Sequence, residues 1–410
     1  MNLIRILGEG LPSPLFISCT FLLRLLVHLG MMIKPKKRRA SAETRVDPLT
    51  FIDLFCGAGG FTQGMRDAGL HHLGGVDSNA QCCESYGANH GAVLCADVRA
   101  LRVEDVRRLT GTQRVDVVVA SPPCQSVSAI GSTANDTHAN DTLFMEAVRI
   151  ATGMGAVAVV IENVARLCHK MGSDGKTLAQ HALDALDEAG YRAEVRVLDS
   201  ADYDVPQTRQ RAFVVGIARS AACSFQWPSK REGPIGTFGD IALTDAAATA
   251  ASEGCDLFMT PQKMEYYVAR KKVRPNFVRW VDPLRPCYTL LAGYHKSRGA
   301  MGLVVRDRKG ELMRRVEAAS DAASMRMLTL TECRAIQTFP PQYKLCGSVG
   351  MRYVQVGNAV PCAMAAAMGS ALIAAIGELR GGMVPLLPIP PPRSATRRVR
   401  FGGRGTKERS

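Results

Sequence analysis

The chain has 410 residues, 47% of them apolar and 21% charged, which is enough to bury a sizeable core and excludes an intrinsically disordered protein. Its 51 Lys and Arg outnumber 37 Asp and Glu, and the formal charge of +14 suits a polyanionic partner. The 13 cysteines are scattered, with only Cys82 and Cys83 adjacent, so the spacing offers no zinc site and no disulfide framework and fits a reducing cytosol.

Residues 11–29 are largely apolar but carry Arg24 and His28, and the basic run Lys34-Pro35-Lys36-Lys37-Arg38-Arg39 follows them. A membrane anchor needs about 20 apolar residues in a row, and a signal peptide places its basic residues first. Residues 1–46 read as an extension outside the fold, with Met31 or Met32 as alternative starts, and an anchor or targeting segment is the other reading.

Phe51 to Phe55 is an apolar run suited to a buried strand, followed by Cys56-Gly57-Ala58-Gly59-Gly60 and a helix over Phe61 to Ala68. Glycines at a strand-to-helix turn let the backbone approach a ligand closely. A second strand, Leu73 to Val76, ends at Asp77, where an acidic residue can accept hydrogen bonds from ribose hydroxyls. Val93 to Ala96 ends at Asp97, and Val115 to Ala120 runs into Ser121-Pro122-Pro123-Cys124. Four strands ending in polar or reactive groups place those groups along one carboxyl edge, where open α/β sheets bind ligands. A dehydrogenase fits the first turn, but the full GxGxxG spacing is missing.

Cys124 follows two prolines that stiffen its turn, and Gln125, Ser126 and Ser128 give it polar company. A nucleophilic cysteine attacks as its thiolate and needs such a setting. The polar stretch 131–141 fits a lid. Val157 to Ile161 is a further strand, ending at Glu162-Asn163-Val164, and a carboxyl there can serve as an acid or hydrogen-bond donor. Arg209 and Arg211, just before the run Phe213 to Ile217, share one face if that segment is extended.

Residues 219–322 differ in composition. They hold both tryptophans, Trp227 and Trp280, the basic run Arg270-Lys271-Lys272-Val273-Arg274 and the stretch Gly293 to Gly299. Basic residues interleaved with aromatics suit a small nucleic-acid-facing domain. An Ala- and Met-rich helix over Ala359 to Leu379 completes the first domain, and five prolines between Pro385 and Pro392 followed by clustered arginines read as an extended tail. The expected organisation is an extension (1–46), a catalytic and cofactor-binding domain (47–218), an inserted recognition domain (219–322), a return to the first domain (323–380) and the tail (381–410).

In their order, the segments Asp53 to Gly60, Pro122-Pro123-Cys124-Gln125, Glu162-Asn163-Val164, Gln207 to Arg211, Leu328 to Pro340 and Gln355 to Pro361 resemble the motifs of the cytosine-5 DNA methyltransferase family. The resemblance covers roughly residues 50–375, and the likeness is to the stand-alone prokaryotic type. It implies a doubly wound, Rossmann-like α/β domain that uses S-adenosylmethionine, with a smaller inserted target recognition domain. Cys124 matches the nucleophile that adds to C6 of a flipped cytosine. Glu162 matches the residue at N3 and the amino edge, and Arg211, supported by Arg209, the residue at O2. Asp53, Phe55, Gly57, Gly59, Asp77, Asp97, Pro122 and Asn358 fall at positions around the cofactor, and Gln125, Ser128 and Asn163 at positions near the substrate. Thr331 and Asp77 stand where the family commonly has arginine and glutamate. The implied partner is duplex DNA, with a restriction endonuclease acting on the same site. A cytoplasmic, nucleoid-associated monomer with no membrane and no metal is expected. Related tRNA cytosine-5 methyltransferases share most of these motifs but typically carry Cys-Phe-Thr in the recognition region, and residues 219–322 contain none. A non-catalytic DNA-binding relative is the other alternative, and the presence of Cys124, Glu162 and Arg211 speaks against it.

Overall fold

A computed structural model of the chain describes residues 47–123, 143–172, 174–233, 235–255, 257–274, 278–296 and 301–377. The expected extension, the stretch 131–141 and the tail lie outside the described residues.

The first half alternates strand and helix: β1 (Thr50–Leu54), α1 (Gly60–Asp67), β2 (His71–Asp77), α2 (Ala80–His90), β3 (Val93–Cys95), α3 (Val103–Thr110), β4 (Val117–Ala120), α4 (Leu143–Gly153), β5 (Ala158–Val164), α5 (Leu178–Glu188), β6 (Tyr191–Asp199) and β7 (Gln210–Ala218). Together they build a seven-stranded sheet in the order β3-β2-β1-β4-β5-β7-β6. It is parallel except for β7, which runs antiparallel to both β5 and β6. Central strands buried on both faces need unbroken apolar side chains, and β4, Val-Val-Val-Ala, is buried at every position.

Strand parity sorts the core into two layers. Ile52 and Leu54 face a cluster with Val106 of α3, Phe144 and Ile150 of α4, and Leu186 of α5. Phe51 faces the other way, into a cluster with Met65 of α1 and Phe213 of β7. That cluster also holds Met364, Met368 and Leu372 of a late helix, α10, described below.

After β7 come α6 (Ala246–Ser252), α7 (Pro261–Val273), β8 (Arg279–Trp280), β9 (Met301–Arg306), β10 (Ser324–Arg326), α8 (Leu330–Ile336), α9 (Val349–Asn358) and α10 (Cys362–Ile376). Strands β10, β9 and β8 form a second, three-stranded sheet. Buried Met264, Tyr267 and Val268 of α7 pack on it beside Trp280 and Met325. The third strand of this sheet lies at 324–326, past the expected boundary at residue 322.

Three element boundaries differ from expectation for local reasons. Phe55 has φ +57°, a left-handed conformation that ends β1 at Leu54. Strand β5 runs on through Glu162 to Val164, because β7 pairs with it as far as Val164 opposite Arg211. Helix α10 starts at Cys362 rather than Ala359, since Pro361 caps it and the preceding chain is extended.

Helices α1 and α10 lie so close that a Cβ added at Gly64 falls 2.2 Å from the Cys362 carbonyl oxygen and 2.5 Å from the Ala365 Cβ. Gly64→Ala is therefore expected to destabilise the fold by about 1–3 kcal/mol through overpacking. Chemical denaturation should show a lower midpoint with an unchanged slope, and an unaltered midpoint would remove this account of the layer.

Candidate active site

The chain runs outward from β1 through β2 to β3 and then returns to the other side of β1 at β4. At that reversal the loops after β1 and β4 diverge and leave a crevice at the carboxyl ends of the strands. A cleft of about 1750 Å³ opens there, and the smaller unit lines it too. Small-molecule sites usually occupy roughly 300–1,000 Å³, so this cleft has room for more than one compact ligand.

On the β1 side, Phe55, Gly57, Ala58, Asp77, Asp97 and Asn358 line the cleft. Gly57 has φ +53°, and nothing stands within 4 Å of where its Cβ would be, so the loop offers bare backbone to the cleft. The Asp77 carboxylate accepts the Gly57 amide at 2.9 Å and the Asn79 amide at 2.8 Å, tying the end of β2 to the glycine turn. Asp97 accepts from the Arg99 guanidinium and amide, and these bonds hold its carboxyl below the usual range. Asn358 ends α9.

Two expected cofactor residues do not reach the cleft. Asp53 is completely buried on the α1 face of β1, where its Oδ2 accepts the Thr62 hydroxyl at 2.7 Å. Thr62 continues to the Tyr86 hydroxyl at 2.8 Å, and Tyr86 to His72 at 2.7 Å. The Asp53 Oδ1 is buried without a hydrogen bond among the described residues, and burial pushes the carboxyl up to about 7. Gly59 donates its amide to the Cys56 carbonyl at 2.9 Å, and a Cβ on it would sit 2.5 Å from the His90 ring. Both residues shape the loop from beneath.

On the β4 side, Ser121, Pro122 and Pro123 line the cleft, while Cys124, Gln125 and Ser128 lie outside the described residues. Asn163 donates its side-chain amide to the Pro122 carbonyl at 3.1 Å, and its Oδ1 accepts the Val164 amide at 2.8 Å. The main chain thus occupies the Asn163 side chain, which fixes the proline turn. Glu162 is buried and meets the Arg211 Nε at 3.0 Å. Burial raises its carboxyl above the usual range, against the opposing pull of Arg211 and Arg209. Arg211 also donates to the Gln210 carbonyl at 2.7 Å.

Arg209 shares the cleft with Arg211 but does a different job. It is 1% exposed and donates to the carbonyls of Leu290 at 2.7 Å, Gly357 at 2.9 Å and Ala359 at 3.2 Å. Gln207 and Gln337, which sequence reasoning gave no role, extend this arrangement with a side-chain bond of 2.9 Å. Thr331 has a carboxylate partner: its amide and hydroxyl both donate to Glu253 Oε1 at 2.7 Å. Beside it, Arg326 and Glu332 form a two-pronged buried pair at 2.7 and 2.8 Å. Motif order points to these segments, but pairings across such sequence separations leave no local signal.

The family model of the C-5 cytosine-specific DNA methylase matches residues 49–374. The chain is 32% identical over 335 residues to the type II methyltransferase M1.HphI of Haemophilus parahaemolyticus, covering 79% of this chain and 87% of that one. It is 27% identical to the type II methyltransferase M.AplI of Arthrospira platensis, covering 79% and 85%. Among solved structures, the methyltransferase EhMeth of Entamoeba histolytica superposes with a TM-score of 0.58 at 14% identity, over 80% of this chain and 98% of that one, which shows a shared fold.

Asp53 binds its proton more tightly in the folded state than in the unfolded chain. Stability is therefore full below the ordinary carboxylate pKa near 3.8 and falls as pH rises to about 7. Asp53→Asn keeps an acceptor for Thr62 and should abolish this loss. Across that window the wild type should lose on the order of a few kcal/mol relative to the variant in urea titrations, and parallel pH profiles would refute the assignment.

Proposed function

The chain belongs to the C-5 cytosine-specific DNA methylase family, and from that premise we propose that it methylates C5 of a cytosine flipped out of a specific duplex DNA sequence, using S-adenosylmethionine and a covalent bond from Cys124 to C6. It is a DNA methyltransferase of the type II restriction–modification kind. A restriction endonuclease of the same specificity is its proposed partner, and a monomer at the cytoplasmic nucleoid its proposed form. Residues 219–322, continued by the third strand at 324–326, are proposed to choose the target sequence.

The observation that carries this reading is the buried Glu162–Arg211 pair, 3.0 Å apart, in one cleft with the proline turn that precedes Cys124. The residues on the β1 side fit the cofactor. Gly57 leaves room for close approach, Asp77 stands at the end of β2 where ribose hydroxyls would be held, and Phe55, Asp97 and Asn358 line the surrounding wall. When bound, S-adenosylmethionine supplies an electrophilic methyl group.

Cytosine is a poor nucleophile at C5, so addition at C6 divides one hard step into two easier ones. The Cys124 thiolate forms the bond to C6, and the displaced electron pair moves through the ring to N3. Glu162, whose hold on a proton is strengthened by burial, gives N3 a proton, and the resulting enamine is electron-rich at C5. Arg211 has donors left after Glu162 and the Gln210 carbonyl, and its rigid fork suits O2 of the base. Asn163 keeps the proline turn in place through the Pro122 carbonyl. Once C5 carries the methyl group, loss of the C5 proton to a base, departure of the Cys124 thiolate and return of the N3 proton to the Glu162 carboxylate restore the aromatic ring.

Purified protein should transfer label from S-adenosylmethionine to duplex DNA, and bisulfite sequencing should place it at C5 of cytosines in one sequence. Label confined to tRNA, or on the exocyclic amino group, would overturn the reading. Cys124→Ala should abolish both transfer and the covalent trapping of 5-fluorocytosine DNA. Glu162→Gln should lower kcat by about 10²–10⁴ while leaving cofactor affinity unchanged.

A further inference from the structure

Among the described residues, five arginine or lysine side chains line the cleft: Arg99, Arg166, Arg209, Arg211 and Lys263. Three are committed within the protein, Arg99 to Asp97, Arg211 to Glu162 and Arg209 to three carbonyls. Arg166 and Lys263 are exposed, and neither side chain has an acidic partner among the described residues. They come from different parts of the fold. Arg166 lies in the single 3-10 turn Ala165–Cys168 that follows β5, four positions after Glu162. Lys263 belongs to the first turn of α7, which packs on the smaller sheet.

Helix α7 buries Met264, Tyr267 and Val268. Lys263, Tyr266 and Arg270 follow at i, i+3 and i+7, so they form a neighbouring stripe. Lys263 and Tyr266 line the cleft. Tyr266 is 52% exposed, yet it is not loose: the Arg270 guanidinium lies 5.9 Å from its ring centroid, and the Tyr267 ring meets it edge-on at 5.4 Å. A large ring held in position and half open to solvent offers a flat face to another flat group. Lys263 and Arg166, in the same cleft, offer attraction to a polyanion.

We propose that Arg166 and Lys263 grip phosphates of the DNA strand that carries the target cytosine, one from the large sheet and one from the smaller unit, and that Tyr266 stacks on a base of that strand. This rests on the reading of the protein as a DNA methyltransferase. It adds what that reading lacks, a contact that positions the strand before Glu162 and Arg211 meet the base. Arg166 suits a forked contact to one phosphate, and Lys263 acts as a compact charge. These are positioning residues, because none of them touches the atoms that react.

The test is the salt dependence of binding of full-length protein to a short DNA duplex, and separately to tRNA. Arg166→Gln and Lys263→Gln should each make the plot of log affinity against log salt shallower by about 0.9, the signature of one lost phosphate contact. Tyr266→Ala should weaken duplex binding at least about fivefold with an unchanged slope, and Tyr266→Phe should restore it. Calorimetric affinity for S-adenosylmethionine should stay at the wild-type value in all four variants, which separates these effects from misfolding. Unchanged slopes in both Gln variants, or slopes that change on tRNA alone, overturn the phosphate grip. Wild-type binding by Tyr266→Ala overturns the stacking. Altered duplex slopes in a protein that never methylates DNA uphold the grip while the proposed chemistry fails, so the two readings can fail separately.

Discussion

A guanidinium buried to 1% exposure needs acceptors around it, and Arg209 finds three in backbone carbonyls from distant parts of the chain. Leu290 belongs to the segment after the smaller unit's first strand, while Gly357 and Ala359 flank the break between α9 and α10. Two glutamines close the arrangement. Gln207 accepts the Leu290 amide at 2.7 Å and donates to Gln337, which in turn donates to the Val356 and Ala359 carbonyls at 2.7 and 3.1 Å. The end of α9 comes so near that a Cβ on Gly357 would lie 2.5 Å from the Leu291 backbone. These contacts fix the start of β7, and with it the position of Arg211 two residues on. The wall of the cleft and the position of Arg211 are thus set by one buried cation.

A second buried cation joins the smaller sheet to α8. Arg326, from β10, meets Glu332 in the first turn of α8, and Glu332 also accepts the Thr329 amide at 2.9 Å as part of a capping box. Glu253 adds a second carboxylate at the same helix start, accepting the Leu330 and Thr331 amides at 2.8 and 2.7 Å. The exposed amides at a helix start favour negative charge, so both carboxylates are well placed. A buried ion pair contributes little net stability over an apolar substitute, whereas removing one partner leaves a charge stranded. Its effect is geometric: β10 has to sit where Arg326 reaches Glu332. The Thr331 hydroxyl also donates to Glu253.

Much of this was legible in the sequence, for reasons that particular residues make plain. Strands β1, β4 and β5 are buried on both faces, so they read as continuous apolar runs, and the groups just after them fall on one edge. Motif position alone did not tell which side chains face the cleft. Asp53 and Phe55 are two apart, but Phe55 leaves the strand with a positive φ and lines the cleft, while Asp53 stays in β1 and turns toward Thr62. Arg209 and Arg211 line the same cleft, yet carbonyls supplied from 81 to 150 residues away take up the Arg209 fork, whereas Arg211 meets Glu162. The second sheet was harder to read. Its strands hold two, six and three residues, too few to show a period, and the third lies outside the segment that composition picked out.

The Glu162–Arg211 pair poses a problem of sign. An arginine at 3.0 Å should hold a carboxylate ionised, and an ionised Glu162 has no proton to give N3. Burial works in the opposite direction and prevails, leaving the carboxyl above its usual range. Neither effect alone suits the proposed chemistry. A carboxyl raised by burial with no counterion would hold its proton too firmly to release it as the adduct forms. One paired with Arg211 in water would already have lost it. A dry carboxyl beside a cation sits between these limits, able to donate when charge builds on N3 and to be stabilised once the proton has gone. This balance explains why the arginine proposed to serve O2 also touches the proposed acid: Arg211 would stabilise the carboxylate that proton donation leaves behind.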